Sequence, residues 1–254
     1  MVRPPEPNRW MPDRQRLDEA LAARGLYPSR ARARDAVLRG VVHVDGVVAR
    51  KPAQAVSADS QLIVNDEAQA YVSRAGLKLK HGLDLFGIRV KGRRCLDIGA
   101  STGGFTQVLI AEGAAHVTAV DVGHGQMQLS DSRITSIEGL NARDLNRAHL
   151  PGPVDMIVCD VSFISLKLVL PPALSLAEEG ADLVALIKPQ FEAGRAALGK
   201  GGIVSDPAEH ARVCAEIRHF LAAEGWRVLG VAESPVAGGD GNREFLIVAQ
   251  KQPD

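Results

Sequence analysis

The chain has 254 residues, enough for one large domain or for a large domain beside a small one. Its 30 Lys and Arg balance 30 Asp and Glu and 46% of it is apolar, so overall charge names no partner and a sizeable core is within reach. The longest apolar stretch, residues 154–177, is interrupted by Asp155, Asp160, Lys167 and Pro171-Pro172, which excludes a membrane span of roughly 20 residues. Cys95, Cys159 and Cys214 are far apart in apolar runs, the spacing of reduced core residues and not of a disulfide framework or metal site. No His, Cys and carboxylate cluster has metal-ligand spacing, so no metal is expected. Residues 1–13, rich in proline and without an apolar signal segment, predict a disordered lead-in to a cytoplasmic protein.

From Arg16 the pattern places Leu17, Ala20 and Leu21 on one helical face, with Gly25 as a C-cap. Ser29 is placed to N-cap a second helix, Arg30 to Arg39, that stops at Gly40. Arg30 and Arg34 lie four apart and share its exposed face. Val41–Val44, the turn Asp45-Gly46 and Val47-Val48 read as a hairpin. Lys51-Pro52 and a last strand, Gln61 to Val64, complete a small α+β unit over residues 14–66. Between Arg14 and Lys51 nine basic residues face four acidic ones, the electrostatic footprint of nucleic-acid binding. A second basic segment runs from Arg74 to Arg94, beyond a linker at residues 67–73.

Residues 74–254 read as an α/β domain. A helix is predicted over Arg74–Phe86, then a strand over Arg94–Ile98 and a helix over Gly103–Glu112. Further strands fall at His116–Val120 (ending in Asp121), Thr135–Ile137, Met156–Cys159 and Leu183–Ile187, with helices at Ser165–Ala177 and from Asp206-Pro207 to Glu224. Helices between the first five strands imply a parallel, doubly wound, Rossmann-like sheet. The closing runs Trp226–Val231 and Glu244–Ala249 are too close for a helical crossover, so the last strand should be antiparallel.

The segment from Asp97 to Phe105 is a strand, a glycine-rich turn and a helix start, placed where open α/β sheets bind nucleotide-like ligands. Its order, Asp-x-Gly-x-x-x-Gly-Gly-Phe, departs from the dinucleotide pattern because Ser101 stands in place of the second glycine. It fits the loop with which methyltransferases hold S-adenosylmethionine. Asp97, Gly99, Ala100, Ser101, Gly103, Gly104 and Phe105 are therefore cofactor candidates. Asp121 is placed to accept hydrogen bonds from a ribose, Asn141 to contact adenine, and Asp160 to border the same crevice. Asp160, Lys188 and Glu244 are polar residues at strand ends where a buried sheet should deliver apolar ones. Lys188, after Val184-Ala185-Leu186-Ile187 and held by Pro189, should point into the crevice.

Two resemblances sharpen these readings. Arg16-Leu17-Asp18, Gly25-Leu26, Ser29-Arg30, Ala33, Gly40, Asp45-Gly46 and Lys51-Pro52 closely resemble the small RNA-binding domain named from ribosomal small-subunit protein four. With the basic clustering, this implies RNA contacts at Arg16, Ser29, Arg30, Arg34, Lys51 and Arg74. Residues 73–250 resemble the FtsJ-related ribose 2′-O-methyltransferases, in which a Lys-Asp-Lys-Glu tetrad serves the reaction. Ser73-Arg74-Ala75-Gly76-Leu77-Lys78 supplies Lys78, Cys159-Asp160-Val161-Ser162 supplies Asp160, Ile187-Lys188-Pro189-Gln190 supplies Lys188, and Asn242-Arg243-Glu244-Phe245 supplies Glu244.

The two parts together resemble the TlyA family of ribosomal RNA 2′-O-methyltransferases, also labelled haemolysins. The resemblance implies S-adenosylmethionine as cofactor, ribosomal RNA within ribosomal subunits as partner, and cytidine as the target. His124, Ala75 and Gly139-Leu140 depart from the family pattern near the adenine contacts. The expected roles are Lys188 as base, Asp160 and Glu244 as orienting groups, and Lys78 as a positioning cation. A lysine base must be neutral, against a free value near roughly 10.4. The second cation and burial favour the neutral form, and the carboxylates oppose it. The basic, glycine-rich loop Gly194–Gly202 is expected to close over RNA. An RNA base methyltransferase, a membrane-active haemolysin and a non-catalytic RNA-binding protein are the competing readings.

Overall fold

The structure, a computed structural model, describes residues 14–238 and 240–253; the expected lead-in at residues 1–13 lies outside the described residues. The chain divides into two compact units, Met1–Glu67 and Ala68–Asp254. In the first, β1 (Gln15–Arg16) leads into α1 (Leu17–Ala23) and α2 (Arg30–Arg39). Short strands follow: β2 (Val42–Val44), β3 (Val47–Val48), β4 (Ala55–Val56) and β5 (Leu62–Val64). Ser29 caps α2 by accepting the Arg32 N–H at 3.3 Å, and Gly40 closes the helix at φ 76°. Asp45 and Gly46 both take positive φ, 51° and 82°, as a two-residue hairpin turn requires. β2 is paired antiparallel by both β3 and β5. The β1–β4 pairing was not foreseen, because two residues carry no periodicity.

Leu17, Leu21, Tyr27, Val37 and Val42 pack together as the core of this unit. One carboxylate closes it from the end. Asp66 accepts the Tyr27 hydroxyl at 2.7 Å and both terminal nitrogens of Arg39 at 2.7 Å, and Arg39 also donates to Asp35 at 2.8 Å.

The second unit begins one residue into a 3₁₀ turn, Glu67–Ala70, and continues into α3 (Ala75–Phe86). Residues 67–73, expected to be a linker, are bound to this unit at their far end. The Val72 N–H donates to Gln107 Oε1 at 2.8 Å, and Gln107 Nε2 donates to the Ala70 carbonyl at 2.9 Å. Then come β6 (Arg94–Ile98), α4 (Gly104–Ala111), β7 (His116–Asp121), β8 (Ile134–Glu138) and β9 (Val154–Cys159). They are followed by α5 (Leu166–Val169), α6 (Pro171–Leu176), β10 (Ala177–Ile187), α7 (Pro189–Glu192), α8 (Pro207–Ala223), β11 (Trp226–Glu233) and β12 (Phe245–Lys251). Seven strands form one sheet in the order β11-β12-β10-β9-β6-β7-β8. β12 alone is antiparallel, inserted between β10 and β11.

Two expectations need correction. No α-helix joins β7 to β8, and only 3₁₀ turns lie between β8 and β9; those strands are nevertheless parallel to their neighbours. The helix expected over 165–177 is two short ones, because Pro171 lacks the N–H needed to continue α5.

Sheet residues alternate between two cores. Leu96, Ile98, Ile157, Ala185 and Ile247 face one cluster, which includes Leu170 of the α5–α6 junction and Ile217 of α8. Cys95, Met156, Val184 and Leu246 face the other, with Leu79 of α3 and Phe105 of α4. In the first unit, Asp66→Ala takes from Tyr27 and Arg39 their shared carboxylate, leaving Arg39 its bond to Asp35, and should remove about 2 kcal/mol of stability. Urea denaturation of the full chain, followed by a probe confined to the first unit, checks this; an unchanged midpoint would refute the structural role.

Candidate active site

A cavity of about 520 Å³ lies at the carboxyl ends of β6, β7 and β9. Gly99 is required there by contact: at φ 80°, a Cβ would sit 2.6 Å from the Asp160 carbonyl oxygen. The adjacent strand ends are laced by Gly99 N–H to Val120 O at 2.9 Å and Asp160 N–H to Ile98 O at 3.0 Å. Ser101, left-handed at φ 47°, donates its N–H to Asp121 Oδ2 at 2.8 Å, and Gly123 donates to Asp121 Oδ1 at 2.7 Å. The next turn is held by Glu138, which accepts the N–H groups of Gly125 and Gln126 at 2.6 and 3.0 Å. Those backbone donors keep its carboxyl below the usual range.

Of the cofactor candidates, Gly99, Ser101, Asp121, Asn141 and Asp160 line this cavity. Asn141 also accepts the Arg143 N–H at 3.1 Å, capping the turn that follows. Asp97, Ala100, Gly103, Gly104 and Phe105 are not at the wall; they hold the loop from beneath. Phe105 sits in the core with Leu79, Gly103 packs against Met127 and Leu129, and Gly104 leaves room for Ser73. Asp97 is fully buried on the α4 face of the sheet, where the Thr106 hydroxyl donates to it at 2.6 Å. The cavity fits an adenosine: Val122, Leu140 and Val169 offer apolar walls, and each Asp121 oxygen keeps a lone pair for a ribose hydroxyl.

A second cavity, about 480 Å³, adjoins the first and shares Ser162 and Phe163 with it. Lys78, Lys188 and Glu244 line its wall. All three are buried, which requires each charge to be paired. Lys188 Nζ lies 2.7 Å from Asp160 Oδ1 and donates to Ser162 Oγ at 2.9 Å; Lys78 Nζ donates to Glu244 Oε2 at 2.5 Å. Asp160 Oδ1 lies off the hydrogen-bond direction, so this contact is an ion pair without an aligned hydrogen bond.

The fold explains the convergence. Lys188 follows β10, Asp160 follows the adjacent β9, and Phe245 pairs with Ile187, which sets Glu244 beside the end of β10. α3 packs over β10 and β12 and brings Lys78.

Several lining residues escaped the sequence reading. Ser162 and Phe163 stand two and three residues after Asp160, and Phe163 combines a left-handed φ of 67° with 89% exposure. Strain of that kind in a non-glycine residue marks functional sites, but it is invisible in sequence. Phe163 and Phe191 lie 5.1 Å apart, centroid to centroid. Asn242, wholly buried, was also missed. Its Oδ1 accepts the Val204 N–H at 2.9 Å and its Nδ2 donates to the Gly202 carbonyl at 3.2 Å, so the loop expected to be mobile is pinned at its distal end.

The basic candidates in the first unit separate into two groups. Arg16 grips Asp18 with two hydrogen bonds of 3.0 Å, and Arg30 reaches Asp18 at 3.1 Å and Glu19 at 2.9 Å. Ser29 acts as the α2 cap, whereas Arg34 and Lys51 are exposed; Arg74, in the second unit, is half-buried ahead of α3. Among the described residues no His, Cys and carboxylate group could hold a metal, and no helix is long and apolar enough to cross a membrane. Cys159 is wholly buried, and that burial pushes its thiol up, so it is no nucleophile for base methylation.

A glycine-loop nucleotide cavity joined to a lysine and carboxylate cavity is the architecture of a group-transfer enzyme of the methyltransferase class. Residues 71–251 match the FtsJ-like methyltransferase family and residues 15–62 match the S4 domain. The chain is 46% identical over 248 residues to the 16S/23S rRNA (cytidine-2′-O)-methyltransferase TlyA of Mycobacterium tuberculosis, covering 96% of this chain and 92% of the relative. It is 39% identical to Hemolysin A of Brachyspira hyodysenteriae, covering 91% and 98%. A solved structure with a hemolysin name, from Streptococcus thermophilus, superposes with a TM-score of 0.74 at 38% identity, covering 95% of this chain and 90% of that one. This chain belongs to the TlyA family of FtsJ-like methyltransferases.

Burial pushes the Asp97 carboxyl up to about 7, from an ordinary value near roughly 4. Between those values the folded chain holds a proton that the unfolded chain has released. Asp97 therefore withdraws stability as pH rises from about 4 to about 7, and its effect is level above that. Asp97→Asn keeps an acceptor for Thr106 and cannot ionise. Its stability relative to the parent, from urea midpoints, should rise between about pH 4 and about pH 7; a constant difference would refute the assignment.

Proposed function

We propose that this enzyme transfers the methyl group of S-adenosylmethionine to the ribose 2′-hydroxyl of a cytidine in ribosomal RNA. The observation that carries the reading is the pairing of Lys188 with Asp160 and Lys78 with Glu244 on the wall of the second cavity, beside the nucleotide cavity. Gly99, Ser101, Asp121 and Asn141 would hold the cofactor, which supplies an electrophilic methyl on a sulfonium centre. A ribose hydroxyl is a poor nucleophile until its proton has somewhere to go. Lys188 Nζ is the group placed to take it: its ammonium first passes a proton to the Asp160 carboxylate 2.7 Å away, and the neutral amine, oriented by Ser162, then accepts the hydroxyl proton. Lys78, fixed by Glu244, holds the hydroxyl oxygen in line and keeps it from turning away.

The relatives' names support ribosomal RNA as substrate and cytidine as target, and the S4-type unit with exposed Arg34 and Lys51 supports RNA binding. Modification within an assembled subunit, in the cytoplasm, follows from that substrate as part of the proposal.

The deciding experiment incubates the purified enzyme with ribosomal subunits and labelled S-adenosylmethionine, then maps methylation at nucleotide resolution. The expected product is ribose 2′-O-methylcytidine; methylation of a base, or none, would overturn the reading. Lys188→Met should lower turnover by about 10²–10⁴-fold while cofactor binding, measured calorimetrically, is retained. Turnover within a factor of about two of the parent would remove Lys188 from the chemistry.

A further inference from the structure

We propose that Gln190 reads the exocyclic amine of the target cytosine and so selects cytidine over uridine. The proposal rests on the reading of the second cavity as the acceptor site. Gln190 stands in α7, two residues after Lys188, and lines that cavity. A nucleoside whose 2′-oxygen is at Lys188 would therefore bring its base toward Gln190.

The orientation of this amide is fixed by a relay. Gln190 Nε2 donates to Asp240 Oδ2 at 3.2 Å. Asp240 is itself locked by the Asn242 backbone N–H at 3.0 Å on Oδ1 and by Asn242 Nδ2 at 2.8 Å on Oδ2. Asn242 is wholly buried and tied to Val204 and Gly202, so the relay has no freedom to turn. Flipping the Gln190 amide would set its oxygen against a carboxylate, two acceptors facing each other. The carbonyl Oε1 must point away from Asp240.

That oxygen is buried and has no hydrogen-bond partner among the described residues. The other buried orphan at the wall of either cavity, Asp160 Oδ1, has Lys188 beside it. A buried acceptor without a donor costs about 1–3 kcal/mol, and one at the wall of a cavity is a place where a ligand can supply the donor. The missing partner must be a donor. Cytosine carries an N4 amine on its pairing edge, and uracil carries an acceptor, O4, at the same place. An oxygen offered to that edge, uncovered as the entering base displaces the side chains that now enclose it, accepts from cytosine and repels uracil. The aromatic faces of Phe163 and Phe191 in the same cavity suit a flat base presented edge-on to the amide.

The test uses ribosomal subunits with the mapped target as cytidine and, by mutation of the ribosomal RNA, as uridine. The enzyme should methylate the cytidine form with kcat/KM at least about tenfold above the uridine form. Gln190→Leu keeps the volume and removes the acceptor; its preference should fall to near unity, with cofactor binding retained. Equal use of both forms by the parent enzyme overturns the proposal without recourse to any variant. So does a Gln190→Leu enzyme that keeps the parent's preference. Base methylation by the parent would sink the acceptor-site reading itself and this proposal with it, and product mapping distinguishes that outcome from the other two.

Discussion

Two lysine ammonium groups buried in one wall, each within reach of a single carboxylate, are the interaction around which the catalytic unit is arranged. Neither cation would be tolerated alone in a wall this closed, because an unpaired buried charge costs several kcal/mol. Satisfying both demands that four chain segments end at one place. β9 and β10 deliver Asp160 and Lys188 as parallel neighbours, and α3 carries Lys78 across the sheet. Glu244 arrives only because β12 runs antiparallel between β10 and β11, so that its beginning, not its end, meets the end of β10. The same reversal brings Asp240 to the wall of the second cavity, with Asn242 bonded to it.

The nucleotide cavity obeys a different constraint, close approach of backbones. Gly99 lets the β6 turn touch the end of β9, and Ser101 accepts a strained φ because Asp121 gathers its N–H and that of Gly123. Asp121 thereby orients the loop and still lines the cavity. Asp97 shapes the loop from below, through Thr106, in a place where burial favours its neutral form. Asp160 bridges the constraints: its carbonyl packs on Gly99, and its carboxylate lines the nucleotide cavity and pairs with the lysine of the acceptor cavity. The two cavities are thus joined through one residue.

The first unit shows why counting charges overstates an RNA surface. Its arginines largely serve the fold: Arg16 and Arg30 converge on Asp18, Arg39 on Asp66, and Arg24 on the carbonyls of Ser57, Ala58 and Ser60. In a unit this small the core is modest, and charged hydrogen bonds to buried carboxylates and carbonyls make up part of the difference. The exposed Arg34 and Lys51 keep their ends in solvent.

Much of the molecule was legible before any coordinates. Alternating and helical periods marked nearly every strand and helix, since period follows from backbone geometry that each residue carries locally. The glycine turn after β6 and the Asp45-Gly46 hairpin were equally plain, as positive φ restricts residue choice. Lys188 betrayed itself by standing at the end of an apolar run.

Other features were out of reach. The pairing of Lys78 with Glu244 spans 166 residues of separation, the break at Pro171 competes with a good helical pattern, and nothing local marks Phe163 as strained or Asn242 as wholly buried. The elements, the turn chemistry and the list of polar residues at strand ends are written in the residues one after another. Which carboxylate meets which lysine, which candidates reach a cavity wall, and where the Gln190 oxygen lacks a donor are settled by packing. Backbone preference is local, whereas charge compensation and burial depend on groups that strand order alone brings together.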